Sequence, residues 1–174
     1  MKFDFARFRK IYDIGGGDGT LLLCLAKKYP SKEFTIYEKQ GMQKIILDKI
    51  YDVTNINVEI GDFFESIPKG GDLYIMKCIL HDWNDSKCID ILTKCAESMS
   101  NDATLLIIEY ILPHKFAKDT YSVSSDISMK LLLGGKERTY EDYLVLLEKS
   151  GFVAYNRQGK KNSYGYIFAH KKEH

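Results

Sequence analysis

The stretch that decides the fold is Lys10–Pro30, KIYDIGGGDGTLLLCLAKKYP. Lys10–Ile14 reads as a short strand. It runs into the glycine-rich turn DIGGGDG, and Thr20–Tyr29 then reads as a helix that Pro30 stops. The same alternation repeats along the chain. Glu33–Tyr37 is a second strand, Gln43–Tyr51 a helix and Ile56–Ile60 a third strand. Asp72–Lys77 is a fourth strand whose core, Leu73–Met76, is apolar without alternation, as in a sheet covered on both faces. In Asp85–Met99, residues Cys88, Ile91, Leu92, Cys95 and Met99 share one helical face. Ala103–Ile111 is a fifth strand, and Tyr121–Leu133 is weakly helical. Thr139 is an N-cap with Asp142 three residues on, and Tyr140, Tyr143, Leu144 and Leu147 form the buried stripe of the following helix. Val153–Tyr155 and Tyr164–Ala169 make a terminal strand pair, with Asn162 and Ser163 in the turn. Short strands alternating with amphipathic helices define an α/β fold built on a mostly parallel sheet.

A chain of 174 residues, 45% hydrophobic and 28% charged, fits one domain with a substantial core. Its formal net charge of +1 gives no footprint for nucleic acid or an anionic membrane. No apolar run approaches the ~20 residues that span a bilayer, and MKFDFARFRK lacks the apolar stretch of a signal peptide. Cys24, Cys78, Cys88 and Cys95 show no CxxC spacing and read as free, buried thiols of a cytoplasmic protein. Lys160, Lys161, Lys171 and Lys172 read as a solvated face. His114, His170 and His174 read as surface residues.

The turn places Asp13, Gly15, Gly17 and Gly19 in an acidic-x-Gly-x-Gly-x-Gly pattern between strand and helix. Glycines allow positive φ and close approach of a ligand to the backbone. A dinucleotide site needs glycines at relative positions 1, 3 and 6, and position 6 here is Thr20. Asp13 and Asp18 also oppose a phosphate. A cationic ligand without phosphate suits the loop better, and S-adenosylmethionine, with a sulfonium and an ammonium, is such a ligand. Glu38, closing the second strand, is placed to accept ribose hydroxyls in either cofactor class. Asp62, in GDFF, could accept an adenine amino group with Phe63 stacked nearby.

His81 follows the fourth strand, at the edge where open α/β sheets bind ligands. On spacing alone a general base and a solvent-facing helix residue are equally good readings. Glu109 closes an otherwise apolar strand, where an unpaired carboxylate is expensive, and His81 is its natural partner. His81 and Asp85 are also spaced i, i+4, as in some metal sites, but no third ligand motif accompanies them.

With DIGGGDG, GDFFESIP, KCILHDWND, IEYILP and GGKERT in that order, the chain resembles the S-adenosylmethionine-dependent O-methyltransferases of the plant caffeate type and their bacterial and acetylserotonin-type relatives. The resemblance runs from Phe3 to about Ala169. It implies a Rossmann-like class I methyltransferase fold: a seven-stranded, mostly parallel sheet with an antiparallel last strand and helices on both faces. It implies methyl transfer from S-adenosylmethionine, without a metal, to a hydroxyl of a small, commonly aromatic, molecule. The general base is then His81, flanked by Glu109 and Glu137. Cofactor contacts fall on Asp13, Gly15, Gly17, Glu38, Gly61, Asp62, Phe63 and Lys77. Asp82, Trp83 and Met129 match positions near the acceptor. Competing readings are a cofactor-binding module or inactive fragment, and a nicotinamide-dependent oxidoreductase.

Two departures stand out. The family usually has aspartate followed by a hydrophobic residue where this chain has Glu38 and Lys39. Its members also carry an N-terminal helical domain for dimerisation and for closing the acceptor pocket, so residues 1–174 are expected to be the catalytic domain without it. Tyr121, Val123, Ile127, Met129, Leu131, Leu132 and Leu133 make the Tyr121–Leu133 segment apolar on more than one side. Such an arc predicts an interface, with a second copy of the chain or a separate partner domain.

Overall fold

The structure, a computed structural model, describes residues 4–112, 135–158 and 164–172. β1 (Lys10–Ile14), β2 (Glu33–Glu38), β3 (Ile56–Ile60), β4 (Leu73–Lys77) and β5 (Thr104–Leu112) are the parallel strands. A two-residue strand β6 (Arg138–Thr139) pairs with the end of β5. β7 (Phe152–Gln158) and β8 (Tyr164–Lys171) close the sheet, whose order is β3-β2-β1-β4-β5-β8-β7. β8 runs antiparallel to both β5 and β7. The expected seven-strand sheet with an antiparallel final strand is therefore present, and β6 is a short addition at the edge of β5.

The helices are α1 (Thr20–Lys28), α2 (Gln43–Ile50), α3 (Asp85–Ser98) and α4 (Tyr140–Lys149). Two apolar clusters lie on opposite faces of the sheet. Leu73 and Ile75 of β4 join Leu22 and Ala26 of α1 and Ile46 and Ile50 of α2. Tyr74 and Met76, the alternate residues, join Cys88, Ile91, Leu92 and Cys95 of α3 and Tyr143 and Leu147 of α4. Successive strand side chains point to opposite faces. A strand covered on both must be apolar at every position, which is why β4 shows no alternation. Each large apolar side chain so buried contributes ~1.5–3 kcal/mol.

The capping box expected at Thr139 is formed: the Thr139 hydroxyl accepts from the Asp142 N–H, and the Asp142 carboxylate accepts from the Thr139 N–H. The buried stripe of α4 differs from expectation at two positions. Tyr140 is only partly buried. Leu144 is exposed and Leu146 is buried in its place, alongside Tyr143 and Leu147. The thiols also divide: Cys88 and Cys95 are buried, Cys78 is half-buried and Cys24 is exposed on α1. His114, His174, Lys160, Lys161, Asn162, Ser163, Met129 and the segment Tyr121–Leu133 lie outside the described residues. Among the described residues, no helix is long and apolar enough to cross a membrane.

In this strand order the chain moves outward from β1 through β2 to β3, then returns to place β4 on the other side of β1. Open α/β sheets bind ligands in the crevice beyond the strand ends at this reversal. The glycine turn after β1 and the His81 turn after β4 meet there.

Candidate active site

The glycine turn is built from positive-φ residues: Gly15 at 70°, Gly17 at 58° and Gly19 at 76°. At Gly15 a side chain is excluded twice over, because a Cβ would also collide with the Ile79 side chain. Ile79 lies two residues before His81, so the glycine turn packs directly on the segment that carries the histidine.

Asp13 ends up buried in this turn, and its Oδ1 has no hydrogen-bond partner. Burial pushes its carboxyl up to about 7, Lys77 opposes the shift, and Glu38 adds to it. Asp18 is placed differently. It holds Lys49 of α2 and the Thr20 hydroxyl, so its charge is spent within the protein. Glu38 accepts the Gly17 N–H through Oε2 at 2.9 Å and the Lys39 N–H through Oε1 at 2.8 Å. Each carboxylate oxygen keeps a second lone pair for a ligand hydroxyl. The Gly61 N–H donates to the Glu38 carbonyl at 3.1 Å, which brings the third strand's end beside the second.

Asp62 closes its own turn by accepting the Phe64 N–H through Oδ1, and its Oδ2 lies 3.6 Å from the Lys39 ammonium. Phe63 is buried, edge-on to Trp83 with ring centres 6.2 Å apart, and Lys39 stands 5.8 Å above it. Trp83 also meets Phe64 edge-on at 4.8 Å. Lys77 is exposed at the end of β4, 5.9 Å above the Tyr164 ring.

β4 is followed by Cys78, the one non-glycine with positive φ among the described residues, at 56°. Its N–H donates to the Ile108 carbonyl. That sharp reversal starts a 3-10 turn, Leu80–Asp82, which presents His81. Glu109, fully buried on β5, reaches this turn from the neighbouring strand. Its Oε1 accepts the N–H groups of Ile79 at 3.0 Å and Leu80 at 2.8 Å. Its Oε2 lies 3.2 Å from His81 Nδ1, and Glu137 Oε1 lies 3.8 Å from the same nitrogen. The 3.2 Å contact between Nδ1 and Glu109 Oε2 is within hydrogen-bond distance, short of the alignment of an ideal bond, and is the largest influence on the ring. The far ring nitrogen, Nε2, faces Asp82 Oδ1 at 3.3 Å. The Glu109 carboxylate raises the imidazole pKa above 6.5 and outweighs burial, which lowers it. Asp82 is also raised, by desolvation, with His81 opposing.

Glu137 is carried by the segment Gly135–Thr139. A Cβ on Gly135 would overlap the His81 carbonyl oxygen and the Asp82 backbone, so this segment lies flat against the histidine turn. Two buried groups here are not among the site residues expected from the sequence, although Tyr143 is expected to be buried. Arg138, beside Glu137, is fully buried under the turn. Tyr143 of α4 has a buried phenol with no hydrogen-bond partner, held protonated by desolvation and by Glu109. The signal available was an arginine adjacent to a site acid, and a tyrosine on the buried stripe of the next helix. Asp85, considered above as a metal ligand with His81, is bound instead to Arg138 and Lys136.

An acidic glycine turn on one side of the switch point and a histidine beside two buried carboxylates on the other lie on a Rossmann-like α/β domain. Residues 1–153 match the O-methyltransferase domain family, and the chain belongs to that family. It is 36% identical, over 156 residues, to the O-demethylpuromycin-O-methyltransferase of Streptomyces alboniger, covering 87% of this chain and 42% of that protein. Human N-acetylserotonin methyltransferase, solved in complex with S-adenosylmethionine, superposes with a TM-score of 0.90 at 27% identity, over 98% of this chain and 50% of that one. An O-methyltransferase from neocarzinostatin biosynthesis, solved with S-adenosylhomocysteine and 1,4-dihydroxy-2-naphthoic acid, gives 0.87 at 26%, over 97% and 51%. The chain thus spans about half the length of the relatives it matches.

Proposed function

We propose that this chain is the methyl-transfer domain of an S-adenosylmethionine-dependent O-methyltransferase whose acceptor is a hydroxyl on a small aromatic molecule, with His81 as general base. The observation that carries the reading is the His81 centre: Nδ1 faces Glu109 and Glu137, two acceptors that cannot donate when ionised. Two carboxylates at Nδ1 against the single one of Asp82 at Nε2 favour the proton of the neutral ring on Nδ1 and leave Nε2 as the basic nitrogen.

The glycine turn fits the cofactor. Asp13 is a buried acid with an unpartnered oxygen, which a cationic ligand relieves and a phosphate aggravates. The Gly17 N–H, which a pyrophosphate would need, is already given to Glu38. This weighs against a nicotinamide dinucleotide. Asp13, the turn at Gly15 and Gly17, Glu38, Gly61, Asp62, Phe63 and Lys77 would hold the cofactor. When bound, S-adenosylmethionine supplies a methyl group on a positively charged sulfur, an electrophile that needs no further activation.

The chain's own residues then do two things. They hold the acceptor, with Asp82 and Trp83 on the His81 turn at the crevice, and Met129 in the same role outside the described residues. They also take its proton. A phenol with a pKa of ~10 is mostly protonated at neutral pH; His81 accepts that proton at Nε2 as the oxygen attacks. The resulting imidazolium is stabilised by Glu109 and Glu137 at Nδ1 and by Asp82 at Nε2. The relatives solved with S-adenosylmethionine and with a dihydroxynaphthoate support the cofactor and an aromatic acceptor. Unpaired cysteines suit a cytoplasmic protein. Pairing with a second copy or a separate domain through Tyr121–Leu133 belongs to the same proposal, and sedimentation tests it.

The deciding experiment is His81→Ala, assayed with methyl-labelled cofactor and a panel of phenols. Turnover falls ~10²–10⁴-fold, while S-adenosylhomocysteine affinity stays at the wild-type value. Full turnover in the folded variant removes His81 as base.

A further inference from the structure

Arg138 is among the largest fully buried side chains of the protein, and its guanidinium has five N–H donors. Every one is used. Nη1 donates to the Leu80 carbonyl at 2.8 Å and the Lys136 carbonyl at 3.2 Å. Nη2 donates to the Trp83 carbonyl at 2.7 Å and to Asp85 Oδ1 at 2.8 Å. Nε donates to the same Asp85 oxygen at 3.0 Å. Leu80 and Trp83 flank His81 and Asp82. The fork therefore straddles the turn and grips its carbonyl side, while Glu109 grips its N–H side at Ile79 and Leu80.

Burying a guanidinium is costly unless it is paired and fully hydrogen-bonded. Simple stabilisation does not require it here, since an apolar side chain of similar size often serves a core as well. What an apolar residue cannot do is fix the two carbonyls in register with the segment carrying Glu137. Arg138 is the next residue after Glu137, and Gly135 of the same segment lies against the His81 backbone. One short segment thus sets the backbone of the turn and the second carboxylate on the ring.

We propose that Arg138 is a positioning residue for His81: by holding the Leu80 and Trp83 carbonyls, with Asp85 as counter-ion, it fixes the imidazole against Glu109 and Glu137. Its part in catalysis rests on the reading of His81 as base. Arg138 touches no reacting atom; it acts through the turn.

The charged and titratable groups around the ring are Asp82 on its own turn, Glu109 on β5 and Glu137 before β6, with the Tyr143 phenol of α4 behind the two glutamates. Asp85 lies on the far side of the guanidinium and is not among the groups that shift the ring. Its removal also leaves the guanidinium less neutralised, which lowers the ring's pKa by charge, so in Asp85→Asn positioning is read from turnover at pH above the titration as well as from the shift.

The test uses Arg138→Lys, which keeps the charge and loses the fork, and Asp85→Asn, which removes the counter-ion at a half-exposed site. Histidine-labelled protein is titrated by NMR, with the His81 resonance assigned by its loss in His81→Gln. S-adenosylhomocysteine affinity is measured by calorimetry on the same samples. In Arg138→Lys, His81 titrates at lower pH than in the wild type, because the ring is no longer held against two carboxylates. Turnover falls roughly 100-fold, the cost of an ångström-scale misplacement, and cofactor-product affinity is unchanged. Asp85→Asn moves the titration the same way, and it decides the matter if Arg138→Lys does not fold. A folded variant whose His81 titrates as in the wild type overturns the proposal and leaves Arg138 as a helix-start anchor. The two readings fail separately: turnover retained in His81→Ala sinks the base, whereas an unmoved His81 titration sinks the positioning role.

Discussion

Replacing Glu109 by glutamine separates what this residue does for the backbone from what it does for the ring. Oε1 accepts two buried N–H groups, from Ile79 and Leu80. A glutamine keeps that acceptor by placing its carbonyl oxygen there, so folding stability should stay close to wild type. Glu109→Ala, by contrast, orphans both donors at a cost of ~1–3 kcal/mol each. With the glutamine oxygen so placed, its NH2 replaces Oε2 at the position 3.2 Å from His81 Nδ1. A donor now faces Nδ1, the ring proton moves to Nε2, and the basic nitrogen is lost. The same tautomer logic in serine hydrolases costs about 10⁴ in kcat. We expect turnover to fall ~10²–10⁴-fold, equivalent to about 3–5 kcal/mol of barrier, with S-adenosylhomocysteine affinity retained. The residual pH profile also has a definite sign. Glu109 raises the His81 pKa above 6.5, and the base must be neutral, so wild-type activity rises with pH through a value above 6.5. In Glu109→Gln that limb moves to lower pH. Labelled methyl transfer across pH, with nitrogen shifts of the imidazole to read the tautomer, decides the matter. A variant that keeps wild-type turnover, or keeps its proton on Nδ1, refutes the reasoning.

Gly135→Ala drives a Cβ into the His81 carbonyl, so it should destabilise by ~1–3 kcal/mol and displace the histidine; an unchanged melting temperature and rate would contradict the packing. Glu38→Ala removes the acceptor for the Gly17 N–H and for a ribose, and calorimetry should show S-adenosylhomocysteine bound roughly 10–100-fold more weakly. Asp13 has a folded pKa of about 7 against 3.8 unfolded, so its neutral form is favoured by folding. The associated stability is full below pH 3.8 and is lost as pH rises toward 7, by up to about 4 kcal/mol. Asp13→Asn cannot titrate, and thermal melts without ligand should show its advantage over wild type growing across that window and levelling above it. Parallel melting curves would remove Asp13 from the buried, uncompensated position described.

Much of the architecture was legible because it is local. A strand, a glycine turn and a helix occupy consecutive residues, and Lys10–Ile14 and Ile56–Ile60 coincide with β1 and β3, while Val153–Tyr155 falls short of β7 by three residues at its end. The pairing of His81 with Glu109 was also legible, since an acid closing an apolar strand must find a partner. What that acid does with its other oxygen was not, because the Ile79 and Leu80 N–H groups lie 30 and 29 positions earlier in the chain. Arg138 was hidden by its neighbours. In the run Lys136–Glu137–Arg138 it resembles a solvated charge, and only the fold shows it lying beneath the histidine turn. Leu144 failed for a similar reason: Leu144 and Leu146 flank the Tyr143–Leu147 stripe on opposite sides, and the packing of α4 on α3 selects Leu146. Asp18 was read with Asp13 as part of an acidic loop, but Lys49, supplied by α2, neutralises it. Each miss concerns a partner distant in sequence.

The edge-on contacts of Trp83 with Phe63 and Phe64 carry a practical consequence. Trp83 is the sole tryptophan of the chain, two residues from His81, and its aromatic neighbours belong to the loop after the third strand. The Lys87 ammonium lies 5.7 Å from the same ring. Intrinsic emission excited at the indole band therefore originates from one point in the molecule, at the junction of the two halves of the crevice. Ligand entering either half alters the polarity and quenching around that indole, so the protein carries its own optical reporter of occupancy. A change of emission on adding S-adenosylhomocysteine, saturating with the calorimetric affinity and absent in Trp83→Phe, would let cofactor and acceptor be followed in real time without a label.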